Sequence, residues 1–158
     1  MKHYVKILGM LTALVIALSC SKKNDENPII IDPVENVMDG TWSLTSATGN
    51  VANVPPQTKF DYKKTISFKS SDSSFIKTYE KGDESKTAKG TFSISIDSSS
   101  STIKYMIILK YGDKSDFVES CSKSQEDYVL NEKSELTLTS WVPCDGPSYV
   151  YRRIQVID

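Results

Sequence analysis

Residues 91–96 have the sequence Thr-Phe-Ser-Ile-Ser-Ile, in which apolar side chains alternate with hydroxyl-bearing ones. Successive side chains of a β-strand point to opposite faces, so this segment predicts a strand with one face on a core and one in water. The same alternation surrounds Trp42 and Leu44, and again Ile66 and Phe68. No part of this region shows a sustained helical period. The pattern therefore predicts an all-β domain.

Short clusters of Ser, Asp, Gly and Lys separate the alternating segments, and strands spaced in this way without intervening helices form an antiparallel meander. We predict strands near residues 40–47, 64–69, 74–80, 89–96, 102–111, 115–121, 126–130, 134–141 and 148–155. Such a meander has two exposed edges unless it closes on itself. Closure removes both edges, so the predicted fold is an up-and-down barrel of eight or nine strands.

The first 19 residues are typical of a secretory signal peptide. Lys2 and Lys6 give a basic start, and an unbroken apolar run follows from Ile7 to Leu18. Crossing a bilayer takes about 20 apolar residues, so this run is too short to be a permanent anchor. Ser19-Cys20 resembles a bacterial lipobox, in which the cysteine thiol receives a diacylglycerol before cleavage. The sequence thus predicts a signal peptide over residues 1–19 and lipid attachment at Cys20.

The cysteine count favours lipidation over an ordinary secreted protein with a free N-terminal cysteine. The chain has three cysteines, so an oxidising compartment would leave one of them unpaired. A lipid on Cys20 leaves Cys121 and Cys144 as a pair. We predict that these two form a structural disulfide closing a loop of about two dozen residues. The alternative, a redox-active pair, would be expected to have Cys-x-x-Cys spacing, which is absent.

Composition argues against most enzyme classes. His3 is the one histidine of the chain, and it is lost with the signal peptide. A mature chain without histidine cannot form a Ser-His-Asp triad, a Cys-His pair or a histidine-ligated metal site. The sequence also contains no P-loop and no GxGxxG motif. We therefore predict no catalytic residues, no cofactor and no metal site.

The charged residues also argue against glycoside hydrolysis and against nucleic-acid binding. Paired carboxylates could still hydrolyse a glycoside, but the acidic residues fall mostly in turn-like stretches, where solvated side chains are expected. They are Asp72, Asp83, Glu84, Asp113, Asp116, Glu126, Asp127 and Glu132. The formal net charge is −1, without a basic stripe, so nucleic-acid binding is not expected.

The predicted organisation has three parts. Residues 1–19 are the signal peptide, residues 20–38 are the lipidated cysteine with a flexible tether, and residues 39–158 are the barrel domain. Pro28 and Pro33 favour extended backbone in the tether because each lacks an amide donor and restricts the residue before it.

Two segments of the barrel domain resemble a known family. Asp39-Gly40-Thr41-Trp42-Ser43-Leu44 resembles the Gly-x-Trp segment of lipocalins, which are calycin-type domains, and of their small relatives among bacterial outer-membrane lipoproteins. Tyr149-Val150-Tyr151-Arg152-Arg153 is similar to the closing strand of these domains, whose arginine can lie across the first-strand tryptophan. Such a cation–π contact is worth about 1 kcal/mol. The structural signature implied by the resemblance is Gly40, Trp42, Arg152 and Arg153, with either Arg152 or Arg153 as the arginine across the tryptophan.

The resemblance also implies a location and a ligand. It implies a lipoprotein held by the lipid on Cys20 at the outer membrane of a Gram-negative bacterium, facing the periplasm or the cell surface. It further implies a cup that binds a small hydrophobic molecule. The interior of an eight-stranded barrel, however, is only wide enough to hold one small ligand or to be filled by side chains. Trp42, Phe68 and Phe92, with the Ile and Leu residues, would suffice to fill it. The alternative is then a solid-core interaction module that contacts a protein partner or a glycan at the envelope.

Overall fold

A computed structural model describes residues 37–49, 54–97, 104–112 and 117–154. The predicted signal peptide, the predicted lipid attachment at Cys20 and nearly all of the predicted tether lie outside these ranges. Within them, no helix has the length and hydropathy needed to cross a bilayer.

Eight antiparallel strands form one closed barrel, with each strand paired to its neighbours in chain order. The first and last strands pair as well, and Trp42 lies opposite Arg153. The strands are β1 (Gly40–Thr48), β2 (Lys63–Lys69), β3 (Ser74–Lys81), β4 (Glu84–Asp97), β5 (Lys104–Tyr111), β6 (Gln125–Leu130), β7 (Glu135–Leu138) and β8 (Ser148–Arg153). The predicted all-β, up-and-down meander closing into a barrel is confirmed, with eight strands.

The sixth of the nine predicted strands, residues 115–121, is wrong over its described part. Residues 117–121 have no strand structure. Glu119 and Ser120 are both buried although they are adjacent, which a half-exposed strand does not allow. The Glu119 side chain instead bonds to Lys64 and Lys77. The segment therefore serves as a connection between β5 and β6.

We name the two ends of the barrel after residues found there. The Trp42 end is the end at which β1 and β7 begin, and the Lys64 end is the end at which β2, β6 and β8 begin. At the Trp42 end, Met38 is fully buried and its carbonyl oxygen accepts a hydrogen bond from Trp42 Nε1 at 2.9 Å. Gly40 has φ = +108°, in the left-handed region that favours glycine, and this lets the chain turn from Met38 into β1.

Apolar side chains fill the half of the interior near Trp42. Phe68 and Phe92 meet edge to face with ring centroids 5.1 Å apart, and both are buried. Such edge-to-face pairs contribute beyond the apolar area that they bury. Other buried apolar residues of the barrel core are Trp42, Leu44, Ile66, Phe75, Ile107, Leu109, Leu130, Leu136 and Leu138.

Cys121 and Cys144 form the predicted disulfide, with Cα atoms 5.9 Å apart and a sequence separation of 23. Cys121 lies in the connection between β5 and β6, and Cys144 lies in the connection between β7 and β8. The bond therefore joins two connections at the Lys64 end.

Candidate binding site at the Lys64 end of the barrel

Charged side chains occupy inward positions in the half of the barrel near Lys64. Lys64 lies two residues before the buried Ile66 on β2, so both side chains point inward. Lys77 follows the buried Phe75 by two residues on β3. Glu126 lies two residues before the buried Tyr128 on β6. Strand alternation therefore directs all three charges into the interior.

A fourth charge enters from the connection between β5 and β6 and links the others. One carboxylate oxygen of Glu119 accepts a hydrogen bond from Lys64 Nζ, and the other lies 2.7 Å from Lys77 Nζ. Lys77 Nζ also lies 2.8 Å from Oε1 of Glu126. We call these four side chains the interior ion cluster. Lys77 and Glu126 have no exposed surface, and Lys64 and Glu119 are 6 % and 7 % exposed.

The cluster is balanced, with two cations and two anions, and its carboxylates have further donors. The Glu119 backbone N–H donates to Glu126 Oε1 at 2.5 Å, and the Tyr128 hydroxyl donates to Glu126 Oε2 at 2.7 Å. Burying a charge costs several kcal/mol, and the attraction between ions offsets that cost only when such additional hydrogen bonds are present. Removing one member would leave another charge buried and uncompensated.

Aromatic rings surround the two ammonium groups. Lys64 Nζ lies 4.1 Å from the Tyr149 ring centroid, and Lys77 Nζ lies 4.8 Å from the Phe117 ring centroid. Burial, helped by the charge of Glu119, raises the pKa of Tyr149 to about 12. Burial and the carboxylates also hold the pKa values of Tyr128 and Tyr151 well above their ordinary range. These phenols therefore stay neutral near pH 7, so no further anion is added to the cluster.

A recess leads from the surface to this cluster. It has a volume of about 290 Å³ and is lined by Lys64, Tyr79, Lys86, Phe117 and Glu119. At its rim Lys86 pairs with Glu84 at 2.7 Å. Two rings and two ammonium groups thus border a carboxylate that comes from a connection rather than from a strand.

A second cleft, of about 500 Å³, lies at the Trp42 end and contains the arginines of the predicted signature. Its lining includes Val37, Trp42, Lys133, Arg152 and Arg153. Arg153 lies over the Trp42 ring at 5.1 Å from its centroid and donates to the Val37 carbonyl oxygen. Arg152 instead bonds to Glu135 Oε1 at 2.5 Å. Both arginines are therefore engaged in contacts of the fold itself.

The interior ion cluster shows that the prediction of a solvated side chain was wrong for one acidic residue. It also contains residues that were not predicted from the sequence. Glu126 is not a solvated turn residue, because the inward register of β6 buries it completely. Lys64, Lys77 and Glu119 were not predicted as site residues. Lys64 lies two residues before Ile66, and Lys77 lies two residues after Phe75. Strand alternation from these apolar residues would therefore have predicted that both lysines point inward. Among the described residues, no group of histidine, cysteine, aspartate and glutamate side chains could hold a metal ion.

Comparisons of this chain with protein-family models, with curated proteins and with solved structures returned no match.

Proposed function

We propose that this chain is a lipid-anchored lipoprotein of the bacterial cell envelope whose lipocalin-like barrel is a binding module. Its interior is filled by side chains, and its ligand contacts the Lys64 end from outside. The anchor rests on the apolar run before Cys20 and on the pairing of Cys121 with Cys144, which leaves Cys20 as the cysteine for the lipid. The closed eight-stranded barrel, with Arg153 over Trp42, is consistent with a lipocalin-like domain.

The observation that carries the filled interior is the complete burial of Lys77 and Glu126. An apolar ligand that entered this half of the barrel would have to displace ions bonded to each other and offer them no polar partner. The penalty is several kcal/mol for each ion. A ligand with its own polar groups, bound at the recess, avoids this penalty. The structure therefore favours the interaction module over a cup for a hydrophobic molecule.

The same burial argues for binding rather than glycoside hydrolysis. A hydrolase of this type needs two carboxyl groups on either side of the bond to be cleaved. Glu119 and Glu126 are bonded to the same ammonium group, that of Lys77, and Glu126 has no exposed surface. A sugar cannot reach both carboxylates in this arrangement.

The anchor is tested by producing the full chain in a Gram-negative host supplied with labelled palmitate. We expect label in the protein and the protein in the membrane fraction. Cys20→Ala should lose both, while Cys121→Ser/Cys144→Ser should remain labelled. Label that survives Cys20→Ala would contradict lipidation at this position.

The filled interior is tested separately by native mass spectrometry of the purified chain and by titration with a fluorescent apolar probe. We expect no co-purified apolar molecule and no saturable binding of the probe. A stoichiometric apolar molecule retained by the protein would overturn the filled interior and restore the hydrophobic cup.

A further inference from the structure

We propose that Lys64 and Lys77 form a carboxylate-binding site, that Glu119 is its internal occupant, and that an external carboxylate with an aromatic or apolar body takes the place of Glu119. The inference rests on the proposed function in one respect, the assignment of the Lys64 end as the contact surface. It adds the chemical class of the ligand and the residues that bind it.

Glu119 differs from the rest of the interior ion cluster in where it comes from. Lys64, Lys77 and Glu126 project from β2, β3 and β6, whose backbones are held in the hydrogen-bonded sheet. Glu119 belongs to the connection between β5 and β6, whose residues 117–124 have no strand structure. The barrel wall therefore supplies two lysines and one glutamate, and a separate segment supplies the anion that balances them.

The geometry of Glu119 is that of a bound carboxylate ligand. Its two oxygens bond to two different ammonium groups, one to Lys64 and one to Lys77. A carboxylate that entered by the recess and took the position of the Glu119 carboxylate would form the same two bonds. Hydrogen bonds between ionised partners of this kind are about twice as strong as neutral ones.

The net charge of the site favours a singly charged anion as the ligand. Without Glu119, the barrel wall would hold two ammonium groups against the single carboxylate of Glu126, an excess of one positive charge in a buried setting. One external carboxylate restores the balance. A doubly charged phosphate would leave an excess of negative charge, which is costly in the interior.

The recess determines what is attached to the carboxylate. Tyr79 and Phe117 meet at a ring-centroid distance of 6.2 Å and border the recess together with Lys64 and Glu119. The outer members of the cluster are the accessible ones, since the side chains of Lys64 and Glu119 are 7 % and 9 % exposed while that of Lys77 is fully buried. A ligand would therefore reach Lys64 first, with its ring or chain against Tyr79 and Phe117.

The disulfide limits how far Glu119 can withdraw. Cys121 follows Glu119 by two residues and is bonded to Cys144 in the connection between β7 and β8. Reduction would release this restraint on the segment that carries Glu119. We therefore expect an external carboxylate to bind more tightly to the reduced protein.

The test uses the full chain, with benzoate as the carboxylate probe and benzyl alcohol as an uncharged ring of similar shape. Glu119→Ala should bind benzoate at least about tenfold more tightly than wild type in calorimetric titrations, because the internal competitor is gone. Benzoate should also raise the Tm of Glu119→Ala by several degrees, since a ligand that binds the folded state stabilises it. Benzyl alcohol should produce neither effect.

Matched variants locate the site. Glu132→Ala removes an exposed glutamate from the turn between β6 and β7, at the opposite end of the barrel, and should behave as wild type. Adding Lys64→Met to Glu119→Ala should abolish the gain in benzoate affinity. Equal affinity of Glu119→Ala and wild type, or a gain that survives Lys64→Met, would overturn the proposal.

A second measurement needs no variant and covers the case in which Glu119→Ala does not fold. Benzoate is titrated into wild type before and after reduction of the disulfide, and the affinity should rise by at least about threefold on reduction. No benzoate binding in either state would overturn the proposal while leaving the palmitate and apolar-probe results intact. Equal binding of benzoate and benzyl alcohol would also overturn the proposal, because the ammonium groups would then not select the charge of the ligand, while the filled interior would still rest on its own test.

Discussion

The Lys77 ammonium group lies 2.8 Å from Oε1 of Glu126, and neither side chain has exposed surface. The two residues belong to β3 and β6, which are not neighbours in the sheet, so the ion pair crosses the interior and joins separate parts of the wall. A pair that spans the barrel in this way depends on closure, because only the closed sheet brings these two inner faces together.

Lys77→Met should destabilise the protein by about 3–5 kcal/mol, because it removes the ammonium group bonded to the buried Glu126 carboxylate and leaves Glu119 paired with Lys64 alone. The free energy of unfolding from urea denaturation gives the measurement. Lys89→Met is the matched control, since Lys89 is exposed on β4 and should cost about 0.5 kcal/mol or less. Similar losses in the two variants would mean that the interior pair contributes nothing to folding.

Stability should fall steeply as the pH rises from about 10 to about 12. The pKa of Tyr149 is about 12 in the folded protein, against an ordinary value of 10.0. The unfolded chain therefore loses this proton first. The contribution of Tyr149 to the free energy of unfolding is present below pH 10 and is lost as the pH rises towards the folded pKa. Thermal unfolding followed across this range should show a smaller loss in Tyr149→Phe. An identical pH profile in both proteins would contradict the assignment.

Arg153→Gln should cost about 1–2 kcal/mol, since it removes the contact with the Trp42 ring and the hydrogen bond to the Val37 carbonyl oxygen. Arg152→Gln is a control of the same type at the next residue. It breaks an exposed ion pair with Glu135, worth about 0.5 kcal/mol or less. Chemical denaturation of both variants tests the difference, and a larger loss in Arg152→Gln would reverse the roles of the two arginines.

Gly90→Ala should destabilise the barrel by about 1–3 kcal/mol through overpacking between β4 and β5. A Cβ atom at this position would lie 2.0 Å from the Lys110 carbonyl oxygen and 3.0 Å from the Phe75 ring. Gly112→Ala provides the control, because nothing lies within 4 Å of its added carbon. The Tm of each variant gives the comparison, and a tolerated Gly90→Ala would show that β4 and β5 can separate at no cost.

Cys121→Ser/Cys144→Ser should lose about 3 kcal/mol, since the bond closes a loop over a sequence separation of 23. Urea denaturation of wild type with and without reductant should show the same difference. In alkylation of the native, unreduced protein, neither cysteine of the pair should be labelled. Labelling of both would show that the bond is absent in solution.

Much of the fold could be predicted because its determinants are local. The alternation along residues 91–96 places Phe92 and Ile94 towards the core whatever the neighbouring strand is. The exposed edges of a long meander then favour closure. The segment 115–121 was wrongly predicted as a strand from its apolar and polar residues, whereas Glu119, within its described part, is held by ion pairs with the distant Lys64 and Lys77.

Part of the candidate site could be predicted from the sequence. The inward direction of Lys64, Lys77 and Glu126 follows from their spacing of two residues from buried apolar neighbours. The general preference of charged residues for the surface predicts instead that these three side chains are exposed. Only knowledge of the facing residues can decide such a conflict, because a buried charge is acceptable only when a partner lies opposite it.

Strand alternation, turn positions, the cysteine pair and the all-β class were determined by the sequence alone, because each depends on residues close together in the chain or on simple counting. The tertiary structure decided that Glu119 balances Lys64 and Lys77, in contacts between residues 55 and 42 positions apart. Contacts at such separations exist only after the barrel has closed, and the free energy of a buried charge depends on which groups closure places around it.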